Sequence, residues 1–266
     1  MVARAVAAVG RRTRAFGASG VDRVRFVGAI VRAALHYPKT IRGLGMRVII
    51  NQIRFTAVQA VPFLLTMALV IGVVVIVQTN AQAARLGFSQ VLGTILVTVV
   101  VRELGPLLTA VVVIGRSGTA IAAELATNGV LRETEAMESM GVDPLQYLVV
   151  PRVIGGALSV AILALFFDLI ALLGGALFAK MLVDVSIPDV LTSIRTAAQP
   201  GDVWLTVAKG GIFGVGIATL SAYEGLTGRR PTDIPQCVTR GVVASLLFVF
   251  LVSTSFSLLF WLVLNG

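Results

Sequence analysis

"LRETEAMESMGVDP", residues 131–144, places four of the chain's thirteen carboxylates (Glu133, Glu135, Glu138 and Asp143) within eleven residues. The surrounding chain is 266 residues long, 57% hydrophobic and only 13% charged. Apolar runs of crossing length flank the stretch on both sides. A polar segment between two such runs reads as a loop that leaves the membrane, so the chain is expected to be an all-α polytopic membrane protein. A mean hydropathy of +0.94 agrees, because one soluble core of this size could not bury so much apolar surface.

Working outward, five runs reach the roughly 20 residues that a spanning helix needs. They lie at about 57–78, 91–115, 153–179, 203–223 and 241–264. Orientation follows from lysine and arginine. Residues 1–54 hold eleven of the 22 basic residues and a single acid, Asp22. Arg116, Arg132 and Arg152 lie in the segment around 116–152 that contains the insert, and Arg229, Arg230 and Arg240 occupy the 224–240 loop. The opposite loops carry Arg85 alone, and Lys180 and Arg195 against Asp184, Asp189 and Asp202. The N-terminus, the insert and the 224–240 loop are therefore expected in the cytoplasm, with the C-terminus outside.

Residues 1–20 read as a disordered basic tail, with no cleavable signal peptide, so the first span would direct membrane insertion. An N-terminal interfacial helix is expected over 21–36. Val24, Val27, Val31 and Leu35 share one stripe there, Arg25 and Arg32 lie roughly opposite, and Pro38 ends the segment. His36 reads as interfacial. One cysteine, Cys237, and one histidine leave no thiol or imidazole set for a metal site. The chain's lysines, Lys39, Lys180 and Lys209, do not sit in a G-x-x-x-x-G-K-[ST] loop, so ATP would have to be hydrolysed by another subunit.

Charges also fall inside the runs. Arg102 and Glu103 sit in the second, each costing about 2.5–3.5 kcal/mol if left facing lipid. Pro106 has no amide hydrogen, which deprives the Arg102 carbonyl of its usual helical donor. A pocket-lining pair and a self-neutralising Arg–Glu pair both fit. Lys209 reads either as cavity-facing or as snorkelling outward. Asp168 reads as a structural bond to a neighbouring helix. Gly174–Gly175 suggests a break in a long run, and "GGIFGVG", residues 210–216, has the small-xxx-small spacing of close helix packing.

Within the insert, Val130, Glu133, Met137 and Met140 fall on one side of a helix, and Arg132, Glu135 and Glu138 cover much of the rest. Gly141 and Pro144 stop it. A methionine stripe suits docking to a partner's groove, though a passive loop helix has the same pattern.

"RELGPLLTAVVVIGRSGTAIAAEL" (102–125) and "AMESMGVDPLQYLVVPRV" (136–153) together resemble the signature of the MlaE/YrbE permease family, the membrane subunits of Mce-associated lipid ABC transporters. "AYEGLTG" and "VTRGVVAS" extend the likeness toward the C-terminus. The sequence departs from the family's usual pattern at "RETEAM" (132–137) and at Ala126, and Ser253 stands where some relatives carry an acid.

The resemblance implies an MlaE-type permease domain over 21–266, with a coupling helix at about 119–141 between spans two and three. It implies a substrate-binding set of Val74, Val77, Gln78, Arg102, Glu103 and Lys209. It also implies an ATPase-coupling set of Glu124, Arg132, Glu133, Glu135, Met137, Glu138, Met140 and Asp143. No catalytic residue, metal or cofactor of the chain's own is expected. The implied partners are a cytoplasmic ABC ATPase, an Mce-domain (MlaD-like) protein, a second permease copy as a homodimer, and membrane lipid. Phospholipid or another hydrophobic lipid would be moved between the inner (plasma) membrane, where the chain would reside, and the Mce-domain partner. An ATP-independent scaffold and a lipid-modifying membrane enzyme are the competing readings.

Overall fold

Backbone N–H and C=O groups in lipid find no water, so an apolar chain satisfies them within helices. The computed structural model describes residues 22–34, 49–86, 91–183 and 186–265, and among these there is no strand. The helices are α1 (residues 22–34), α2 (49–86), α3 (91–130), α4 (Glu133–Ser139), α5 (145–183), α6 (Ile187–Ala197), α7 (Pro200–Leu226) and α8 (Ile234–Asn265). Helices α2, α3, α5, α7 and α8 are long and apolar enough to cross a membrane. The five expected spans are therefore present, each as part of a longer helix. The basic tail, Leu35, His36 and Pro38 lie outside the described residues.

The largest boundary difference is at the insert. Residues 119–130 continue the second spanning helix, and the chain breaks only at Leu131–Arg132, where Arg132 takes a left-handed conformation (φ 56°). The stretch expected as one coupling helix over 119–141 is thus two helices. Between spans three and four, a segment read as a loop contains α6. Pro188 starts this helix, and Val190 is buried under it. Its charged residues mask the helical pattern in a hydropathy scan.

Helix α5 occupies the centre, packed against α2 on one side and α7 on the other. Glycines set both contacts. Gly72 of α2 lies against the backbone of Ala171 and Gly175 of α5, so a side chain at either glycine would strike main chain. Gly210 and Gly214 of α7 lie likewise against Ala161 and Gly156–Ala157 of α5. The 210–216 spacing therefore marks a real helix crossing. The expected break at Gly174–Gly175 is absent: α5 is continuous through it, and the pair serves packing against α2.

Two apolar clusters fill the bundle. The larger includes Leu64, Ile76, Val100, Leu163, Phe167 and Phe213. The smaller lies at the end carrying α4 and joins α1 (Ile30, Ala33) to Ile121 and Leu125 of α3, Val149 and Val153 of α5 and Ala222 of α7. Helix α1 buries Ile30 and Ala33, with Phe26 packed beside them, while Val24, Val27 and Val31 remain exposed. It thus carries two apolar faces where the sequence pattern shows one.

Because Gly214 faces backbone and Gly211 faces open space, alanine at the two positions should have opposite consequences. Gly214→Ala is expected to lower stability by about 1–3 kcal/mol through overpacking, and Gly211→Ala to leave it unchanged or raise it. Thermal unfolding of the purified proteins in detergent measures both. Equal midpoints would contradict the assigned crossing.

Candidate functional site

Residues 96–104 of α3 are wound as a π-helix, and Pro106 follows after a single residue, Gly105. Proline offers no N–H either to Val101, its partner in π register, or to Arg102, its partner in α register. Helix α7 covers both carbonyls. Lys209 Nζ donates to the Arg102 carbonyl at 2.7 Å, and Thr206 Oγ1 is shared between Asp168 Oδ2 at 3.1 Å and the Val101 carbonyl at 3.4 Å. Asp168 thereby bonds a neighbouring helix, the structural part read for it from sequence.

The same lysine pairs with Glu103, Nζ to Oε1 at 3.0 Å. Ser257 Oγ donates to Glu103 Oε1 at 2.8 Å, and Ser253 Oγ to Oε2 at 3.3 Å. Arg102 turns the other way: its Nε donates to Asp202 Oδ1 at 2.7 Å, and its guanidinium lies 4.6 Å from the Phe260 ring centroid. Arg102 and Glu103 are therefore not a self-neutralising pair. Each is balanced by a separate residue of α7. Lys209 does not snorkel; its side chain is 1% exposed, against 38% for Glu103 and 12% for Arg102. Glu103 is the cluster's open group, and Lys209 holds it in place from behind.

Of the expected substrate set, Arg102, Glu103 and Lys209 come together. Val74 and Gln78 lie on the exposed side of α2 and Val77 is half-buried there; none of the three joins the polar cluster.

The expected coupling set divides into three places. Arg132, Glu133, Glu135, Glu138 and Met140 are exposed on and around α4. Met137 turns inward, half-buried against the smaller core, so the two methionines do not form one stripe. Helix α4 ends before Met140 because Gly141 takes φ +76°, with Gly141 N–H bonded to the Glu138 carbonyl and Val142 N–H to that of Met137, each at 2.9 Å. Glu124 lies on α3, more than two helical turns before α4, accepting from Arg152 Nη2 at 2.6 Å. Asp143 Oδ1 accepts the Leu145 N–H at 2.9 Å and so caps the entry into α5.

With this arrangement in place, similarity to known proteins becomes informative. The permease MlaE family matches over residues 49–259, a range that includes the polar cluster and α4. The chain belongs to the MlaE permease family. It is 31% identical to a probable ABC transporter permease protein of Rickettsia felis over 91% of this chain and 92% of that one. It is 25% identical, over 94% of both chains, to the intermembrane phospholipid transport system permease protein MlaE of Haemophilus influenzae. It is also 29% identical to the chloroplastic protein TRIGALACTOSYLDIACYLGLYCEROL 1 of Arabidopsis thaliana, over 84% of this chain and 61% of that one. An MlaE-family permease is a multi-pass membrane subunit of the ABC-transporter type.

Sequence reasoning missed several members of this permease's site. Asp202 entered only as a loop charge, although its place three residues after Gln199 is a capping-box spacing. Ser253 and Ser257, and Phe256 and Phe260, repeat at i, i+4 in the last span and could have been recognised as one face directed at an ion. Ala126, a departure from the family's usual residue, is accommodated because it faces Gly228.

Lys209→Met removes a charge partner and a carbonyl's donor at once. With Glu103 partly open, the expected loss is about 2–3 kcal/mol, below the ~3–5 of a fully enclosed pair. Adding Glu103→Gln should restore the charge part only, leaving the Arg102 carbonyl bare. Unfolding midpoints of the single and double variants check this; full recovery in the double variant would remove the carbonyl from the account.

Proposed function

We propose that this chain is the permease subunit of an ABC transporter moving phospholipid, or another hydrophobic lipid, between the inner membrane and an Mce-domain partner. ATP would be bound and hydrolysed by a separate cytoplasmic subunit. The observation that carries the reading is the Arg102–Asp202 and Glu103–Lys209 cluster, deep in an apolar bundle, with one carboxylate open to the outside. An ionisable group left partly open within a span is by default a candidate for meeting substrate or ions. A zwitterionic headgroup suits it: an ammonium against Glu103, a phosphate against the neighbouring guanidinium, and acyl chains along Phe256, Phe260 and the exposed side of α8. The name of the Haemophilus relative supports phospholipid as the substrate class.

Two copies would enclose the lipid between them as a homodimer. The N-terminus and α4 would face the cytoplasm and the C-terminus the outside, as the arginine distribution favours. The exposed acids of α4 would meet the ATPase, while Met137 anchors the helix to the bundle.

Glu103→Gln is expected to slow lipid transfer at least tenfold between labelled vesicles and the reconstituted transporter, with assembly retained and the thermal midpoint lowered, because the buried Lys209 loses its counter-charge while the two serines still bond the amide. Wild-type transfer rates in that variant would remove Glu103 from the lipid path. Glu135→Lys with Glu138→Lys should abolish co-purification with the ATPase without lowering the yield of folded permease. Met137 is unsuitable for that purpose, since its burial would confuse docking with folding. Undiminished ATPase recovery would leave α4 a passive connection.

A further inference from the structure

At the end of the bundle that carries α4, a crevice of about 520 Å³ separates α1 from α7 and α8. Its two ends differ in chemistry. Arg23, Glu224, Thr239 and Arg240 line one end; Val243 and Leu247, on successive turns of α8 leading into the span, line the other. Val243 and Leu247 are both exposed, so the apolar end opens sideways toward the region that lipid chains occupy.

The charges at the polar end are unequally committed. Arg23 Nη2 donates to Glu224 Oε1 at 2.7 Å, and Glu224 is buried, so this pair is closed on itself. It also clips α1 to the bundle, together with the edge-on Phe26–Tyr223 contact, whose centroids are 5.3 Å apart. Among the described residues, Arg240 has only a long 3.5 Å contact to Gln236, a neighbour on its own helix. The lining residues therefore carry a net positive charge, their one carboxylate already neutralised by Arg23, while Asp22, outside the lining, is a further acid acting on Tyr223. A positive, hydroxyl-bearing mouth continuous with an apolar slot fits a ligand with an anionic head and a hydrocarbon chain.

We infer that the crevice between α1, α7 and α8 binds an anionic phospholipid of the adjacent leaflet, its phosphate on Arg240 and Thr239 and the upper part of one chain along Val243 and Leu247. This site is separate from the Glu103 cluster and independent of whether lipid is transported there. The bound lipid would fill the space beneath α1 and complete the packing of that helix on the bundle.

The test uses the full-length protein in nanodiscs with phosphatidylglycerol carrying a diazirine near the top of one chain, followed by peptide mapping of the adducts. Labelling is expected between Thr239 and Leu247, and the choline-headed photolipid should label that segment far less. Arg240→Gln, at an exposed position that should not affect folding, is expected to cut the labelling roughly tenfold, the worth of one charge-assisted contact. Labelling of the Ser253–Phe260 segment should not change, so failure here and failure of the transport reading register in different peptides. Equal labelling by both headgroups, or no effect of Arg240→Gln, would overturn the site. So would a Leu247→Cys variant that forms a disulfide between copies while taking up no photolipid, since the surface would then be a contact between chains.

Discussion

A proline follows a π-wound turn deep inside an apolar helix, and much of this protein's polar architecture is a response to it. The carbonyls of Val101 and Arg102 face Pro106, which has no hydrogen to give, in a region where water cannot substitute. Helix α7 supplies the missing donors through Lys209 and Thr206. An ammonium brought in for that purpose needs a counter-charge, and Glu103 provides it. The neighbouring guanidinium of Arg102 needs another, and Asp202 at the start of the same helix provides that. The charges belong to one network of mutual satisfaction, in which α3 contributes the irregular backbone and α7 most of the compensation.

That network can form only because the helices approach closely. Lys209 reaches the Arg102 carbonyl while α7 lies against α5 through Gly210 and Gly214, with main chain in contact at the crossing. Asp168 of α5 reaches Thr206 under the same condition, its carboxylate filling the space that a side chain at Gly105 would need. Close packing through small residues and satisfaction of buried polar groups are thus a single arrangement. Larger residues at the crossing would separate the donors from their carbonyls as well as the helices from each other.

The spans were legible in the sequence because hydropathy integrates over some twenty residues and tolerates an occasional charge. The anomaly at Arg102, Glu103 and Pro106 was legible too, since each residue is costly where it stands. Pairing was harder to read. Arg102 and Glu103 are adjacent in sequence, but adjacent residues on a helix point about 100° apart, and each found its partner some hundred positions away on α7. The extent of α3 was misjudged for a related reason. Arg116 resembles the end of a span, yet it lies against Phe55, with its guanidinium 5.4 Å from the ring centroid, and bonds Gln59 of α2, so the helix continues past it to Val130. Helix α1 shows one apolar stripe by pattern, whereas its second face, around Ile30, has meaning only once the smaller core is seen.

The continuity of α3 joins the two ends of the molecule mechanically. From Glu103 to Val130 the chain is one uninterrupted helix, roughly 40 Å at 1.5 Å per residue, and α4 follows after only two residues. The polar cluster and the insert therefore share one helical element, with no flexible loop between them. That element is not uniformly stiff. It is π-wound at Leu96–Leu104, beside the cluster, and again at Ile114–Gly118, where Arg116 ties it to α2. A π-turn holds an extra residue whose hydrogen bond can pass to a neighbour, so it yields to a twist or register change more readily than the α-helix around it. A force applied at α4 would be carried up α3 and concentrated at these two places, of which Leu96–Leu104 holds the Arg102 and Glu103 side chains. The winding that exposes carbonyls to Lys209 also makes the cluster a compliant point of the helix, so the local geometry that created the need for buried charge also sets where α3 yields.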